Sequence, residues 1–128
     1  MERQIVPAVS PFAEAAGYSR AVRVGRHVFV AGTAPIMPDD ADPPADAYGQ
    51  THRCLEIALA ALAEVDASAA DVVRTRIMLT RPDDFAEIAR AHGEVFREVR
   101  PVNTSYVVAA LLDPRWLLEI ELEAVVPA

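Results

Sequence analysis

The chain has 128 residues, 52% of them hydrophobic, which is enough for one globular domain over 1–128 with a sizeable core. Its net charge is −7, with 19 acidic residues against 12 basic ones, so the sequence does not favour nucleic acid as a partner. The single cysteine, Cys54, excludes an internal disulfide and a cysteine-based zinc site. No segment resembles a signal peptide or a membrane span, so we expect a cytoplasmic protein without membrane association.

The first half of the chain predicts a hairpin and a helix. Residues 21–34 alternate between apolar and polar types around a turn at Gly25, which is typical of a β-hairpin. The stretch 37–47 is rich in Pro and Asp and predicts a loop. From about 47 to 65, apolar residues recur at helical spacing over half the circumference, so this helix should be well buried and Cys54 should be a small core residue.

A strand and a second helix follow. Residues 71–79 predict a strand with Arg74 and Arg76 on one face. Its other face should carry Val73, Thr75, Ile77 and Leu79. The helix begins at Pro82 and stops before Pro101. It places His92 within an apolar stripe, which predicts a packed, hydrogen-bonded histidine rather than a catalytic one.

Two strands close the chain. Residues 103–112 are nearly apolar on both faces from Tyr106 onward. Residues 117–126 alternate cleanly, so that three carboxylates share one face. These are Glu119, Glu121 and Glu123.

The predicted order is therefore ββαβαββ, an α+β fold with a mixed sheet. Two helices can cover only one face of such a sheet, yet the strand at 103–112 requires cover on both sides. With no further helix in the chain, the best candidate for the second cover is another copy of the protein. This argument predicts an oligomer and does not set the number of subunits.

Motifs for metals and cofactors are not found. His27, His52 and His92 lack the spacing of metal ligands, and no glycine-rich nucleotide loop or nucleophile elbow occurs. We expect no metal and no cofactor.

The three glutamates of the last strand have two interpretations: a solvated face, or carboxylates desolvated between subunits. In the second case their pKa should rise, which would suit general acid–base chemistry.

Several segments together resemble a known family. They are GYSRAV (17–22), VFVAGTAP (28–35), RP with a following Thr (100–104) and LEIELEA (118–124). In order and spacing, over about 15–126, the chain resembles reactive-intermediate deaminases of the Rid/YjgF/YER057c/UK114 type, also called endoribonuclease L-PSP. The resemblance implies a chorismate-mutase-like fold and a homotrimer around a central barrel, with ligand clefts between subunits.

Family members of known activity hydrolyse enamines and imines, such as 2-aminoacrylate, to keto acids and ammonia. They hold the substrate carboxylate with an arginine in the strand after the second helix, and a glutamate of the last strand positions water. By this resemblance the catalytic residue is Glu121. The small-molecule ligand would be bound by Tyr18, Gly32, Thr33, Asn103 and Ser105.

The family's arginine position holds Asn103. An amide cannot form the charge-assisted pair of hydrogen bonds that a guanidinium forms, a loss of about 1.5–3 kcal/mol or more. Two hypotheses follow: an imine or enamine hydrolase with an altered substrate range, or a non-catalytic small-molecule-binding or regulatory trimer. RNA cleavage is a third, which the acidic charge disfavours. Whether Arg115 replaces the missing guanidinium stays open at this level.

Overall fold

The protein is described from a computed structural model, which covers residues 2–128. Six strands form one sheet: β1 (Arg3–Val6), β2 (Ala21–Val24), β3 (His27–Thr33), β4 (Val72–Leu79), β5 (Val102–Val107) and β6 (Leu118–Val125). The helices are α1 (Ala13–Ala16), α2 (Ala47–Glu64) and α3 (Phe85–Phe96). Within the described residues, no helix has the length and apolar character needed to cross a bilayer.

The strands run in the order β1-β2-β3-β6-β4-β5. β4 and β5 pair in parallel, as expected for strands joined by a helical crossover, and the other pairs are antiparallel. The predicted order ββαβαββ and the mixed α+β sheet are confirmed. β1 and α1 were not predicted, because elements of four residues are too short to show a period.

The core lies between the sheet and the two long helices. β6 alternates as predicted, with Leu118, Ile120, Leu122 and Ala124 buried. α2 packs against β3 and β6, and its N-terminus is capped by the Asp46 side chain, which accepts from the Gly49 amide at 2.6 Å. Cys54 is fully buried in this core, as predicted.

The opposite sheet face carries no helix among residues 2–128. It carries the three glutamates of β6, all partly exposed. The registers between the strands place large apolar side chains on the same face as the glutamates. These apolar side chains are exposed to solvent: Ile5, Phe29, Val102 and Tyr106. The expected uncovered apolar face therefore exists, whereas its cover by another subunit stays a prediction.

Two details of the predicted strands were wrong. A bulge between Val72 and Arg74 turns Val72 inward and leaves Val73 exposed, so Val73 is not on the buried face. The strand predicted over 103–112 ends at Val107. β4 ends at Leu79, whose carbonyl accepts from the Val108 amide at 2.8 Å, so the chain beyond has no partner strand.

Candidate functional site

A groove of about 470 Å³ opens on the uncovered sheet face, beside the segment that precedes β2. Tyr18, Phe29, Arg76, Glu121 and Glu123 line it. The fold thus brings together Tyr18 and Glu121, which are far apart in sequence. An aromatic wall next to alternating charges suits a small polar ligand.

Glu121 is held by an arginine from the neighbouring strand. Arg76 lies directly opposite it in the antiparallel register. The Arg76 Nη1 donates to Glu121 Oε1 at 2.6 Å and to Glu123 Oε1 at 3.0 Å, and these carboxylates raise the pKa of Arg76. Arg76 was not among the predicted site residues. The alternation of residues 71–79 placed Arg76 on the correct face of the predicted strand. Its partner, however, is known only from the register between β4 and β6.

A second carboxylate lies further along the same face. Glu119 is half-buried, and this burial raises its pKa, while the charge of Arg20 acts in the opposite direction. A Cβ at Gly32 would lie 3.5 Å from Glu119 Oε1, an ordinary van der Waals distance, so Gly32 lies next to that carboxylate. This burial arises within the chain, and the predicted effect of a covering subunit on the three glutamates stays a prediction.

Tyr18 is oriented by the end of α1. Gly17 adopts a left-handed conformation (φ 78°) that stops the helix and directs the chain towards β2. The Tyr18 hydroxyl donates to Ser10 Oγ at 2.9 Å, and the ring remains partly exposed at the groove. The phenol is thus fixed at one edge of the groove, opposite the carboxylates of β6.

The side chain of Thr33 does not line the groove. It is buried, donates to the Ala31 carbonyl at 2.7 Å and accepts from Arg20 Nη1 at 2.8 Å. A bulge between Val30 and Thr33 changes the alternation of β3, so Thr33 faces the helices, beside Ile120.

Asn103 and Ser105 lie on the edge strand β5 and also face the helix side. Asn103 Nδ2 donates to Thr75 Oγ1 at 3.0 Å, and Ser105 Oγ donates to Asn103 Oδ1 at 2.9 Å. Thr75 is buried and pairs with Asn103 in register. Within one chain, Asn103 and Glu121 therefore lie on opposite faces of the sheet, in strands that are separated by β4.

His92 extends this set of hydrogen bonds into α3. Its Nε2 lies 2.9 Å from Thr75 Oγ1, and burial lowers its pKa. The prediction of a packed, hydrogen-bonded histidine is confirmed. Among residues 2–128, no group of three or more histidine, cysteine or carboxylate side chains is placed to hold a metal ion.

Arg115 is engaged in a different part of the structure. Its five N–H groups face acceptors on Asp40, Asp42 and Asp113, at distances between 2.8 and 3.3 Å. The guanidinium thus joins the loop before α2 to the turn before β6. Since its donors are occupied, its contacts do not support the hypothesis that Arg115 replaces the missing arginine.

Comparison with known sequences gives matches over most of the chain. The family described as endoribonuclease L-PSP matches residues 9–126. An uncharacterised protein of Streptomyces coelicolor is 40% identical over 115 residues, covering 90% of this chain and 86% of its own length. TdcF of Escherichia coli, whose name describes a candidate reactive intermediate deaminase, is 31% identical over 110 residues, covering 84% of this chain and 85% of TdcF.

Solved structures agree with this result. Rv2704 of Mycobacterium tuberculosis, a member of the YjgF/YER057c/UK114 family, superposes with a TM-score of 0.89 at 40% identity, covering 98% of this chain and all of Rv2704. Escherichia coli TdcF with bound serine gives a TM-score of 0.80 at 29% identity, covering 94% of this chain and 92% of TdcF. Sequence, fold and the segments singled out above agree: the chain belongs to the endoribonuclease L-PSP family, also known as YjgF/YER057c/UK114.

Proposed function

We propose that this protein hydrolyses the C=N bond of a small imine or enamine-derived metabolite, at a cleft between the subunits of a homotrimer. The observation that carries the proposal is the shared groove of Tyr18 and Glu121 on the uncovered sheet face. A relative named as a candidate reactive intermediate deaminase supports the reaction class. The exposed apolar side chains around the groove support a site completed by neighbouring subunits.

Glu121 is the proposed catalytic residue. Arg76 occupies its Oε1, which leaves Oε2 to bind a water molecule. As the water oxygen bonds to the imine carbon, the π electrons of the C=N bond move to nitrogen, and the carboxylate takes one proton from the water and passes it to that nitrogen. The resulting carbinolamine then loses its hydroxyl proton to the amino nitrogen through the same carboxylate while the C–N bond breaks, so that ammonia leaves and a carbonyl remains.

Asn103 sets the proposed substrate range. Its Nδ2 donates to Thr75 Oγ1 at 3.0 Å and lies 3.5 Å from the Thr75 carbonyl oxygen, its Oδ1 accepts from Ser105, and it carries no charge. An uncharged amide matches a neutral polar group better than a carboxylate. Since Asn103 and Glu121 lie on opposite faces within one chain, a ligand touching both would lie between two subunits.

A second candidate is a binding site without chemistry. Glu121 shares Arg76 with Glu123, and this fixed pattern of charges can hold a polar ligand without any proton transfer. In that case the trimer would bind a metabolite or act as a regulator. Endoribonuclease activity is not favoured, because the net charge of −7 repels RNA.

The test compares ammonia release from freshly generated 2-aminoacrylate and from its carboxamide analogue. We expect wild type to prefer the neutral analogue, and Asn103→Arg to gain activity on the acid. Glu121→Gln should lower turnover by about 100-fold, the lower range for a lost general base. Glu123→Gln is the matched control, because it also removes a carboxylate from Arg76.

Equal rates for wild type and Glu121→Gln would contradict the catalytic role of Glu121. Full activity of wild type on 2-aminoacrylate would contradict the altered range. Ligand binding without ammonia release from any of these proteins would favour the binding function.

A further inference from the structure

A second cavity lies on the helix side of the sheet, between β3, the loop that follows it and α2. Its volume is about 230 Å³. Most of the lining is apolar, including Val9, Ile36, Met37 and Ile57, and two arginines also border it, Arg20 and Arg53. At about 30 Å³ per water this space holds roughly eight water molecules, which is enough for a small organic ligand.

Arg20 is buried at this cavity, with 7% of its surface exposed. Its Nη1 contacts the carbonyl oxygens of Ala31 at 3.4 Å and Gly32 at 3.0 Å, and donates to Thr33 Oγ1 at 2.8 Å. All of these acceptors are neutral. Nε and Nη2 form no hydrogen bond within residues 2–128, yet no fully buried side-chain N or O atom there lacks a partner, so both donors keep some exposed surface, and Arg20 is one of the residues that line the cavity.

The charge of Arg20 is not matched by a carboxylate. None of the ion pairs among the described residues includes it, and Glu119 acts on it only at longer range. A buried guanidinium remains protonated, and a buried charge without a partner is costly. An anion in the cavity would remove that cost.

Arg53 differs from Arg20 in this respect. Its Nε donates to the Ile36 carbonyl at 2.7 Å, and its Nη1 lies 3.3 Å from Glu56 Oε1. The charge of Arg53 thus has a carboxylate partner at the rim, whereas the charge of Arg20 has none. The cavity is therefore apolar, with one unmatched positive charge.

We propose that this cavity is a second ligand site, which binds a small monocarboxylate with an apolar chain. The carboxylate accepts from Nε and Nη2 of Arg20, and the chain packs against Ile36, Met37 and Ile57. The site is separate from the groove of Glu121, since Arg20 does not line that groove and the two lie on opposite sides of the sheet.

The probe is sodium hexanoate, titrated into the wild-type protein by isothermal calorimetry. Hexanamide has the same chain without the charge, and acetate has the charge without the chain. We expect saturable binding of hexanoate and at least tenfold weaker binding of both comparators, because a charge-assisted pair is worth about 1.5–3 kcal/mol in such contacts.

Three variants complete the test. Arg20→Gln keeps a donor for Thr33 and should weaken hexanoate binding at least tenfold, whereas Arg53→Gln should change it less than about threefold. Ile57→Asp leaves Arg20 in place and puts a carboxylate into the apolar lining, where it repels the carboxylate of the ligand. It should weaken hexanoate binding at least tenfold, and it tests the proposal even if Arg20→Gln does not fold. Absence of saturable binding by wild type, equal affinity for hexanoate and hexanamide, or unchanged binding by Ile57→Asp would overturn the proposal.

Discussion

His92 connects burial to the pH dependence of stability. Its ring lies between α3 and β4, hydrogen-bonded to Thr75, and burial lowers its pKa below the ordinary value of 6.5. In the unfolded chain the ring titrates near that ordinary value. As pH falls below 6.5 the unfolded state therefore binds more protons than the native state, and the free energy of unfolding decreases.

We predict that His92→Gln flattens this pH dependence, because glutamine can still contact Thr75 but does not titrate. Urea unfolding midpoints of both proteins at pH 7 and pH 5 measure the difference. His27→Gln is the control, since that ring is exposed on β3, and it should keep the wild-type slope. If the unfolding midpoints of His92→Gln and wild type changed equally between pH 7 and pH 5, another titrating group would dominate the pH dependence of stability.

At the scale of elements, the Arg115 side chain joins the loop before α2 to the turn before β6. It binds Asp113 in its own turn and Asp40 and Asp42 in the loop before α2, and these carboxylates raise the pKa of Arg115 further. Ion pairs on a surface are individually weak, but one guanidinium holding three carboxylates acts as a network.

We predict that Arg115→Gln loosens the loop over 38–46 and slightly lowers the free energy of unfolding. Hydrogen exchange of that segment, followed by mass spectrometry, should become faster while exchange in β6 does not change. Arg81→Gln removes an isolated surface pair with Asp84 and serves as the control. Unchanged exchange over 38–46 would mean that the loop is held by its other contacts.

At the scale of the whole molecule, the uncovered sheet face is the dominant feature. Phe29 is 49% exposed and Tyr106 is 44% exposed, beside partly buried glutamates. Such a face is typical of a protein–protein interface, and the proposed homotrimer would cover it. The groove of Glu121 would then be closed by a neighbouring chain.

We predict that Phe29→Asp separates the subunits, because it places a charge in the proposed interface. Analytical ultracentrifugation of wild type and variant measures the assembly state. Ala60→Asp adds the same charge on the exposed side of α2 and should leave the assembly intact. Wild-type protein that sediments as a folded single chain would contradict both the trimer and the inter-subunit cleft.

Local patterns were sufficient for most of the fold. The period of α2 and the alternation of β6 identified the core side of each element, and the order of elements then implied an uncovered face. The N-terminal strand was missed, because Arg3–Val6 is too short for a pattern. The bulges at Val73 and Thr33 were missed as well, since an extra residue in one strand is defined only by its partner.

The sequence by itself thus determined the family and the layer architecture, and it led to the prediction that Asn103 stands at the position of the family's arginine. Only the tertiary structure decided which side chains meet: Glu121 with Arg76, Arg115 with three aspartates, and Asn103 on the face opposite Glu121. The physical reason is that pairing depends on register between strands distant in sequence. A shift of one residue reverses the face of every side chain, and no local pattern encodes it.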